Sequence, residues 1–395
     1  MKISTPSFLD DPHVQRLFAA LDGHGEELRV VGGAVRNHFM GKPVHEIDLA
    51  TTATPDVVMA RAAQAGLKSV PTGIDHGTVT VIVDHVPFEI TTLREDVDTD
   101  GRRATVLFGR DFEKDALRRD FTFNALSVGA DGLVHDYADG MRDIETRHVR
   151  FIGDPATRIR EDYLRILRYF RFHAAFAENT ADPAALEAIV HQRHGLSGLS
   201  RERVRAELMK LLETEGAADT LALMSGLGLV LPLIGGVYCT TRLARMPHDC
   251  DAILKLLALS VLKREDAARL QDFLRLSNAD TQRLSRAAEA SEKISRATAP
   301  DTHHIRICLL HFGRQATCDA LRLAGFEEAC AQALVLAEPK LPISGADLLA
   351  RGMSPGKAIG DMLDEIEKQW ILKGFPENPE VFAQIVTQAL TARAK

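Results

Sequence analysis

The sequence predicts an α+β fold, in which a small mixed-sheet domain is followed by an all-α region that makes up most of the chain. Segments that are short and apolar, or that alternate between apolar and polar residues, favour β-strands, and they occur before about residue 150. From there to residue 395, helical periods separated by Gly and Pro follow one another. We therefore expect the sheet in the first part of the chain and helices in the rest.

The first predicted strand ends in a pair of glycines. The apolar run Leu28–Val31 leads into Gly32 and Gly33, and a helix-compatible segment that contains Arg36 follows. At such a strand–turn–helix junction, glycine allows backbone amides to approach a phosphate group closely. The junction is therefore a candidate site for a phosphate-bearing ligand.

A second predicted strand carries two carboxylates. Glu46 and Asp48 occupy positions i and i+2, so strand geometry would place both on one face, roughly 7 Å apart along the backbone. Neighbouring carboxylates beside a phosphate site can hold a divalent metal ion against a triphosphate. Solvated acids on an ordinary α/β strand are the alternative interpretation.

Further elements complete the predicted sheet domain. A short amphipathic helix is expected over residues 13–22, and another from Pro55 to about Gln64, because Thr54 precedes a proline at the first helical position. The segments 76–83 and 86–93 alternate in strand fashion on either side of a short turn, which predicts a β-hairpin. With the two earlier strands, the hairpin gives a small mixed sheet with helices on one face.

Composition and charge narrow the class of protein. A hydrophobic share of 45% with 26% charged residues is ordinary for a soluble globular protein, and the net charge of −7 argues against a surface that is basic throughout. The five cysteines show no CxxC spacing, which predicts reduced core residues in a cytoplasmic protein and no zinc site. The uncharged run 220–241 is interrupted by Gly and Pro, so it predicts a buried helix, a break and a loop rather than a membrane span.

The glycine junction and the acidic pair resemble two motifs of a known enzyme family. Val30–Asn37 resembles the GGxVRD motif, and Glu46–Asp48 resembles the DxD motif, of the class II tRNA nucleotidyltransferase and poly(A) polymerase family in the polymerase-β-like nucleotidyltransferase superfamily. Asn37 stands where the family usually has Asp, and Glu46 stands where the first Asp of DxD is expected. The resemblance implies a nucleotidyltransferase head domain at residues 24–148, a helical neck with a base-reading motif at 149–215, a helical body at 216–338 and a helical tail at 339–395.

The resemblance also implies roles for these residues. Gly32, Gly33 and Arg36 would cradle the triphosphate. Glu46 and Asp48 would be the catalytic ligands of two Mg²⁺ ions, one of which would activate the attacking 3′-OH while the other stabilises the leaving pyrophosphate.

A third acidic residue, Glu89, lies in the second strand of the predicted hairpin. The segment Phe88–Arg94 resembles the family's E-[VI]-T-T-x-R strand. If this strand neighbours the strand that carries Asp48, Glu89 would join the catalytic carboxylates and complete a three-carboxylate metal cluster. An exposed glutamate on an edge strand is an equally open interpretation.

A cluster of arginines follows. Leu117–Leu126 resembles the family's RRDxTxNA motif. Its adjacent Arg118 and Arg119 suit a triphosphate or a ribose edge, because guanidinium groups pair with oxyanions through two parallel hydrogen bonds. Asp120 is expected to hold one of these arginines in place or to contact the sugar of the nucleotide.

The segment 158–171 resembles the family's EDxxR motif, with Tyr163 in place of the usual Pro. Its helical period would place Asp162 and Arg165 one turn apart. A carboxylate accepts from the amino group of cytosine or adenine, and a guanidinium donates to the adjacent ring acceptor, whereas uracil and guanine present a carbonyl to the carboxylate. Such a pair can select C and A without a template, by roughly 10⁴ in favourable cases. Arg168 and Arg171 continue the nucleotide-binding spiral, and a surface ion pair is the alternative for Asp162 and Arg165.

Two further segments bear on RNA. Residues 199–210 resemble the family's LSxERxxxEL segment, in which Arg201, Arg203 and Arg205 would form a basic track for a phosphate backbone, unless they are simply solvated. The polar segment 95–111 occupies the place of a family loop associated with the final adenosine addition.

The resemblance therefore implies a cytoplasmic CCA tRNA nucleotidyltransferase, which adds C, C and A to the 3′ end of tRNA from CTP and ATP with two Mg²⁺ ions. Its partner would be the tRNA acceptor end, with no membrane and no protein partner implied. A poly(A) polymerase would share every head-domain motif, and the longer loop and the lack of a long basic tail favour the tRNA enzyme. A non-catalytic RNA-binding relative is the other alternative, for which Asn37 and Glu46 would be signs of decay.

Overall fold

A computed structural model describes residues 6–74, 77–96, 106–178, 180–294 and 300–393. The chain divides into two compact units, Met1–Leu199 and Ser200–Lys395. The boundary between them falls inside the predicted neck, 149–215. The four-domain division proposed from the sequence stays a prediction.

The first unit contains every strand that the structure describes. Its strands are β1 (Leu28–Val31), β2 (Asp48–Thr51), β3 (Lys68–Gly73), β4 (Thr78–Val83), β5 (Val86–Thr92), β6 (Arg94–Asp96), β7 (Val106–Phe108), β8 (Ser127–Val128) and β9 (Val134–His135). Its helices are α1 (Pro12–Leu21), α2 (Gly33–Phe39), α3 (Pro55–Gln64), α4 (Phe112–Leu117), α5 (Gly140–Glu145), α6 (Pro155–Glu161), α7 (Leu164–Phe176) and α8 (Pro183–Gln192), with 3-10 helices at Ser7–Asp10, Thr122–Asn124 and Arg193–Gly198.

Seven of these strands form one mixed sheet in the order β3-β4-β5-β2-β1-β8-β9. Strands β2 and β5 are parallel, and the other neighbours are antiparallel. The predicted hairpin is confirmed, since β4 and β5 are joined by Asp84 and His85, whose φ angles of 47° and 71° suit a two-residue turn. The predicted mixed sheet and α+β fold are likewise confirmed.

The strand predicted to carry Glu46 begins two residues later than expected. Strand β2 starts at Asp48, which pairs with Val31, the last residue of β1. Because β1 ends there and Gly32 turns the chain into α2, no backbone on that side is left to pair with Glu46. Glu46 therefore lies in the exposed segment before the strand, and the expectation that both acids share one strand face is wrong.

The predicted loop 95–111 is partly ordered as strands. Strands β6 and β7 pair antiparallel, with Arg94 opposite Phe108, and Asp111 caps α4 by accepting from the amides of Glu113 and Lys114. The central part of this segment, residues 97–105, lies outside the described residues. Nothing in the structure therefore bears on the predicted role of that part.

An aromatic cluster joins the end of the sheet region to α7. The Phe121 ring stacks on Phe123 at 5.6 Å and lies 4.8 Å from Phe151 between ring centroids. The Phe172 ring meets both Phe121 and Phe123 edge to face. All four rings are buried. Because edge-to-face and offset aromatic pairs favour defined orientations, the cluster fixes α7 against the segment 118–126.

All of the regular elements that the structure describes in the second unit are helices. Its helices are α9 (Arg201–Leu212), α10 (Ala217–Gly226), α11 (Val230–Ile234), α12 (Thr240–Leu243), α13 (Ala252–Ser260), α14 (Arg264–Leu274), α15 (Asn278–Ile294), α16 (Thr302–Leu323), α17 (Glu327–Val335), α18 (Gly345–Ala350), α19 (Lys357–Leu372) and α20 (Pro379–Arg393). One core joins α15, α16 and α17, and another packs α18, α19 and α20 around Trp370.

The uncharged run 220–241 is divided as predicted. It passes from α10 into α11 across residues 227–229 and then through a loop into α12. Among the described residues, no helix has the length and apolar character needed to cross a membrane. The five cysteines are free thiols, and four of them are buried, which agrees with the prediction of reduced core residues.

Candidate active site

A cleft of about 280 Å³ opens on the sheet where β1, β2 and β5 meet. Leu49 of β2 pairs with Ile90 of β5, so Asp48 continues the ladder beside Glu89. Side chains that are paired across neighbouring strands point to the same face. Asp48 and Glu89 accordingly line the cleft together, with Val31 opposite Asp48 on the other side. Strand β5 is central in the sheet, so the alternative of an edge-strand Glu89 is excluded.

The carboxylates in this cleft disfavour one another's charge. Loss of hydration raises the pKa of Asp48, and repulsion from Glu89 and then from Glu46 raises it further, while Arg119 opposes the shift. Asp48 itself remains exposed at the mouth of the cleft. A cation placed beside Asp48 and Glu89 would relieve this repulsion. Glu46 acts on Asp48 from the preceding segment rather than from the strand.

The cleft fits Mg²⁺ in the manner usual for nucleotide-dependent enzymes. In the described residues, no group of three or more His, Cys, Asp or Glu side chains is close enough to hold a metal ion, so the three-carboxylate cluster expected from the sequence is not formed. Mg²⁺, however, is commonly held by one or two carboxylates, with waters and substrate phosphates completing the shell. Asp48 and Glu89 satisfy that requirement.

One wall of the cleft is a pair of arginines held by a buried aspartate. Asp115 accepts from Arg118 Nε at 3.0 Å through Oδ1 and from Arg119 Nη2 at 3.0 Å through Oδ2. Burial alone would raise the pKa of Asp115, but Arg119 and Arg118 outweigh it and lower the pKa. Asp115 thus aligns both guanidinium groups at the cleft. The expectation that Asp120 would hold one of them is wrong.

The paired glycines provide the sharp turn that the sequence predicts. Gly32 has φ of +64° and ψ of −120°, and a Cβ placed there would lie 3.4 Å from Arg119 Nη1. A side chain at Gly32 would therefore strain the backbone, because L residues rarely adopt this positive φ, and its Cβ would touch an arginine of the cleft. The Gly32 amide donates to the carbonyl of Leu126, so this particular N–H is engaged within the protein.

Asp120 is buried and fully engaged. Its Oδ1 accepts from Phe121 N at 2.9 Å and from Asn124 Nδ2 at 3.0 Å, and its Oδ2 accepts from Arg168 Nε at 2.5 Å. Burial would raise the pKa of Asp120, but the Arg168 charge and these hydrogen bonds lower it. Asp120 therefore orients Arg168 rather than presenting its own oxygens to a ligand.

Arg36 extends the same network. Asn124 accepts from Arg36 Nη1 at 2.8 Å through Oδ1, and Asn37 accepts from Arg36 Nε at 3.1 Å and from Nη2 at 2.9 Å. Asn124 thus joins the side chains of Asp120 and Arg36. A continuous chain of hydrogen bonds runs from Arg168 through Asp120 and Asn124 to Arg36.

Three arginines converge on one buried aromatic ring. The guanidinium carbons of Arg36, Arg168 and Arg171 lie 5.0, 5.7 and 4.0 Å from the centroid of Phe172. Burial, together with the charges of Arg171 and Arg168, lowers the pKa of Arg36 to about 10, against the opposing charge of Asp120. Converging positive charge of this kind favours a polyanion such as a triphosphate.

The predicted base-reading pair lies at a break between two helices. Helix α6 ends at Glu161, Asp162 has extended backbone with φ of −154°, and α7 begins at Leu164. Asp162 Oδ1 accepts from the Leu164 amide at 3.0 Å, while Arg165 Nη1 donates to Glu161 Oε2 at 2.5 Å. The expectation of one continuous helix through this segment is wrong, because Asp162 caps the first turn of α7 instead of continuing α6.

Tyr163, which replaces the family's usual proline, packs beside this break. A Cβ built on Gly195 would lie 2.0 Å from a carbon of the Tyr163 ring, and the ring of His194 meets Tyr163 at an angle of 62°. The absence of a side chain at residue 195 therefore makes room for the larger residue at 163. This contact holds the helix break against the 3-10 helix Arg193–Gly198.

The predicted RNA track lies on α9 of the second unit, and Ser200 caps this helix. Arg201 donates to the carbonyl of Asp272, and Arg205 donates to that of Arg275. Each of these two guanidinium groups therefore uses at least one of its N–H donors to bind a backbone carbonyl at the carboxyl end of α14. Arg203 lies in the first turn of the same helix. That Arg201, Arg203 and Arg205 bind RNA stays a prediction.

Sequence reasoning missed two residues of the cleft, Asp115 and Arg94. Asp115 precedes Arg118 by three residues and Arg119 by four, which is the spacing of side chains that meet on a helix. That signal was available in the sequence. Arg94 is the first residue of β6 and was part of the E-[VI]-T-T-x-R segment, but only the tertiary fold brings it to the cleft.

Comparison with known proteins identifies the family. A family model described as "Poly A polymerase head domain" matches residues 28–150, and one described as "Probable RNA and SrmB- binding site of polymerase A" matches residues 180–237. The mitochondrial CCA tRNA nucleotidyltransferase 1 of Danio rerio is 36% identical over 87% of this chain and 83% of its own. The CCA-adding enzyme of Limosilactobacillus fermentum is 33% identical over 93% of this chain and 94% of its own.

Solved structures agree in fold. The CCA-adding enzyme of Bacillus stearothermophilus in complex with CTP has a TM-score of 0.78 and 28% identity, covering 97% of this chain and 99% of its own. The Thermotoga maritima CCA-adding enzyme complexed with tRNA has a TM-score of 0.70 and 20% identity, covering 99% of this chain and all (100%) of its own, so its likeness concerns the fold alone. The chain belongs to the CCA tRNA nucleotidyltransferase and poly(A) polymerase family.

Proposed function

We propose that this enzyme adds C, C and A to the 3′ end of tRNA, using CTP and ATP and releasing pyrophosphate. The observation that carries the proposal is the single cleft in which Asp48 and Glu89 face Arg118 and Arg119. Phosphoryl transfer needs acidic metal ligands beside cationic groups that bind the phosphates. The relatives that resemble this chain along most of its length are named CCA tRNA nucleotidyltransferase or CCA-adding enzyme, which supports the choice of substrates.

Asp48 and Glu89 would hold Mg²⁺, while Glu46 adds negative charge near Asp48 from the preceding segment. The bound metal would neutralise charge on the transferring phosphoryl group. Two ions per site are expected from the family resemblance. Loss of hydration and the mutual repulsion of the carboxylates raise the pKa of Asp48, and a bound cation would relieve that repulsion.

The arginines of this unit would bind the nucleotide. Arg118 and Arg119 are aligned by Asp115 at the wall of the cleft and would contact phosphate or ribose oxygens. Arg36, Arg168 and Arg171 supply a second group of positive charges around Phe172, which suits the rest of the triphosphate. Gly32 and Gly33 keep this approach clear of side chains. Asp120 contributes by fixing Arg168.

Asp162 and Arg165 would select the base. The Asp162 carboxylate accepts from the Leu164 amide, and we propose that it also accepts from the amino group of cytosine or adenine. Arg165 is steadied by Glu161 and by the carbonyl of Arg158, and it would donate to the neighbouring ring acceptor. The pair thus reads the incoming base from a rigid helix junction.

The tRNA acceptor end would lie along basic groups that include Arg201, Arg203 and Arg205. Poly(A) addition is the second candidate, since the matching head-domain model carries that description. The relatives that match this chain over most of their length are named for CCA addition, which favours that activity.

We also propose a cytoplasmic location, as expected from the free cysteines, although the vertebrate relatives are named as mitochondrial proteins. Fractionation of cells that express the tagged chain tests this.

Transcripts of one tRNA that lack three, two or one of the terminal nucleotides test the function. Each is incubated with CTP alone, with ATP alone and with both, and the products are sequenced. We expect two C residues and then one A, with growth stopping there. Addition of long A tracts would establish the poly(A) alternative, and no addition would support the non-catalytic one.

A further inference from the structure

Asn124 contacts both groups of arginines in the first unit. Its side-chain Oδ1 accepts from Arg36 Nη1 at 2.8 Å, and its backbone carbonyl accepts from Arg119 Nη1 at 3.3 Å. Its Nδ2 donates to Asp120, the aspartate that binds Arg168. Arg119 belongs to the wall of the cleft, whereas Arg36 and Arg168 belong to the group around the buried aromatic ring. Asn124 therefore joins the two groups.

The neighbours of Asn124 suit an amide at this position. A guanidinium only donates hydrogen bonds, so Arg36 needs an acceptor. Burial would raise the pKa of Asp120, but the charge of Arg168 and the hydrogen bonds to Asp120 lower it, so this carboxylate is ionised and needs donors. The Asn124 amide supplies one acceptor and one donor, and both are engaged within the protein. Its side chain therefore acts through the arginines rather than on a ligand.

The paired glycines lie against one arginine of each group. A Cβ built on Gly32 would lie 3.4 Å from Arg119 Nη1, and one built on Gly33 would lie 3.7 Å from Arg36 Nη2. The same Arg119 nitrogen donates to the Asn124 carbonyl. The two guanidinium groups thus flank a turn without side chains, and Asn124 binds both of them. Because guanidinium groups pair with phosphate oxygens, one polyphosphate laid along the turn would reach both groups.

The segment that carries Asn124 is a firm support. Asn124 ends the short 3-10 helix Thr122–Asn124, and its backbone amide donates to the carbonyl of Phe121 at 2.9 Å. The stacked rings of Phe121 and Phe123 are fully buried, and Asn124 itself is 7% exposed. Arginine side chains lose much rotamer freedom when they are fixed. A buried, well-packed partner can hold them in place before a ligand arrives.

We propose that Asn124 is a positioning residue that fixes the spacing of the two arginine groups, so that both bind the phosphates of a single nucleoside triphosphate. This rests on the proposed function, in which those arginines bind the nucleotide. Asn124 then contributes to the binding of the phosphate chain and not to that of the base, which is assigned to Asp162 and Arg165. A nucleotide with one phosphate gains little from this spacing.

Equilibrium binding of CTP and CMP to the full chain, without tRNA, tests the proposal. No nucleotide is transferred without an acceptor, and the two ligands share the base and the sugar. N124L has a similar shape but makes neither side-chain hydrogen bond, while N124D keeps the acceptor for Arg36 and places a second carboxylate against Asp120. We expect both variants to bind CTP about tenfold more weakly, and CMP within about threefold of the unsubstituted enzyme.

Two results would overturn the proposal. Unchanged CTP affinity would show that the spacing does not depend on Asn124. Equal weakening of CTP and CMP in all variants would mean that Asn124 supports the fold of the whole site. N124S is the milder variant, since its hydroxyl is too short to reach both partners, and we expect it to lose CTP affinity selectively even where N124L and N124D are unstable. Far-UV circular dichroism compares the folds.

Gln315→Glu is the matched control for N124D. Gln315 donates to Asp319, a buried aspartate that binds Arg283 in the second unit. The substitution likewise places a carboxylate against an aspartate that holds an arginine, and it should alter neither affinity. An equal loss of CTP affinity in the control would contradict the proposal. If the unmodified chain adds no nucleotide to tRNA, the proposed function fails, while the difference between CTP and CMP binding still decides the role of Asn124.

Discussion

Two parts of the candidate site, both in the first unit, owe their geometry to different forces. Asp48 is placed by strand pairing, because its neighbours Leu49 and Val31 fix the register of β2 against β5 and β1. Asp162 is placed by its own side chain, which caps α7 at a break after α6. In the first case the backbone positions the carboxylate, and in the second the carboxylate shapes the backbone.

Because of this difference, Asp48 is expected to serve the reaction alone, whereas Asp162 is expected to serve both the reaction and the fold. Replacing Asp48 removes a charge from a sheet that forms without it. Replacing Asp162 by a residue that cannot cap removes both the proposed base contact and the hydrogen bond to the first turn of α7. Loss of activity alone is therefore informative at Asp48 and ambiguous at Asp162.

The largest effect is expected at the sheet. Asp48→Asn keeps the shape of the side chain but removes the charge that would hold Mg²⁺, and we expect kcat for CTP addition to fall by at least ~10³-fold. Single-turnover rates at saturating Mg²⁺ measure it. Far-UV circular dichroism and tRNA affinity should stay unchanged. A loss of less than about tenfold would show that Asp48 is dispensable and that Glu89 or Glu46 holds the metal.

Asp115→Asn should act through the two arginines that it aligns. Without the carboxylate, Arg118 and Arg119 lose their shared partner, and we expect KM for CTP to rise by about 10- to 100-fold with a smaller change in kcat. Breaking this buried ion pair should also reduce the free energy of unfolding by about 2–3 kcal/mol. Steady-state kinetics and denaturant unfolding measure the two effects.

A matched control for that loss of stability is Asp319→Asn. Asp319 is equally buried and pairs with Arg283 inside the second unit. The control should destabilise the protein by a similar amount and leave KM for CTP unaltered. An equal rise of KM in both variants would mean that general destabilisation, rather than the alignment of Arg118 and Arg119, is responsible.

The same contrast explains what the sequence could predict. The hairpin, the glycine turn and the mixed sheet could be predicted because alternating apolar residues, turn residues and glycines determine local structure over a few neighbouring residues. The juxtaposition of Asp48 and Glu89 followed once the two strands were assumed to be adjacent. The first residue of β2 could not be predicted in this way, because it depends on where the partner strand β1 ends. Local patterns determine which segments become strands, whereas pairing determines their ends.

The helix break at Asp162 illustrates the other limit. The apolar period of Leu164, Leu167 and Phe170 is correct for α7, but periodicity does not reveal that Asp162 will turn its side chain onto the Leu164 amide. The role of Asp120 was missed for a related reason. Its partner Arg168 lies 48 residues away in sequence, and no local pattern connects them. The i+3 and i+4 spacing of Asp115 to its arginines was a usable signal.

Asp162→Asn separates the two tasks of that residue. The amide oxygen can still accept from the Leu164 amide, so the cap and the fold should persist. The amide nitrogen would present a donor where the carboxylate accepted, which suits the carbonyl of uracil. We expect the preference for CTP over UTP to fall by about 10-fold or more, measured as the ratio of kcat/KM values. Equal losses for all four nucleotides would make Asp162 structural only.

The smallest expected effect is on the free energy of unfolding, which the repulsion within the acidic cleft lowers. Partial loss of hydration, followed by repulsion from Glu89 and Glu46, raises the folded-state pKa of Asp48 above its ordinary value. Below the ordinary pKa both folded and unfolded chains are protonated at this residue and stability is unaffected. As the pH rises through the window between the ordinary and the raised pKa, the unfolded chain ionises first, so stability falls and stays reduced at neutral pH.

Asp48→Asn removes this cost, because its side chain does not ionise. In EDTA at pH 7 we expect its Tm to exceed that of the unsubstituted enzyme by about 1 °C, a small shift because Asp48 is exposed and its charge is screened. The difference should shrink at about pH 4.5, close to the ordinary pKa. Added Mg²⁺ should raise the Tm of the unsubstituted enzyme more than that of the variant, since binding to the folded state stabilises it. A lower Tm for the variant at pH 7 would mean that Asp48 supports the fold as well as the chemistry, and the contrast with Asp162 would disappear.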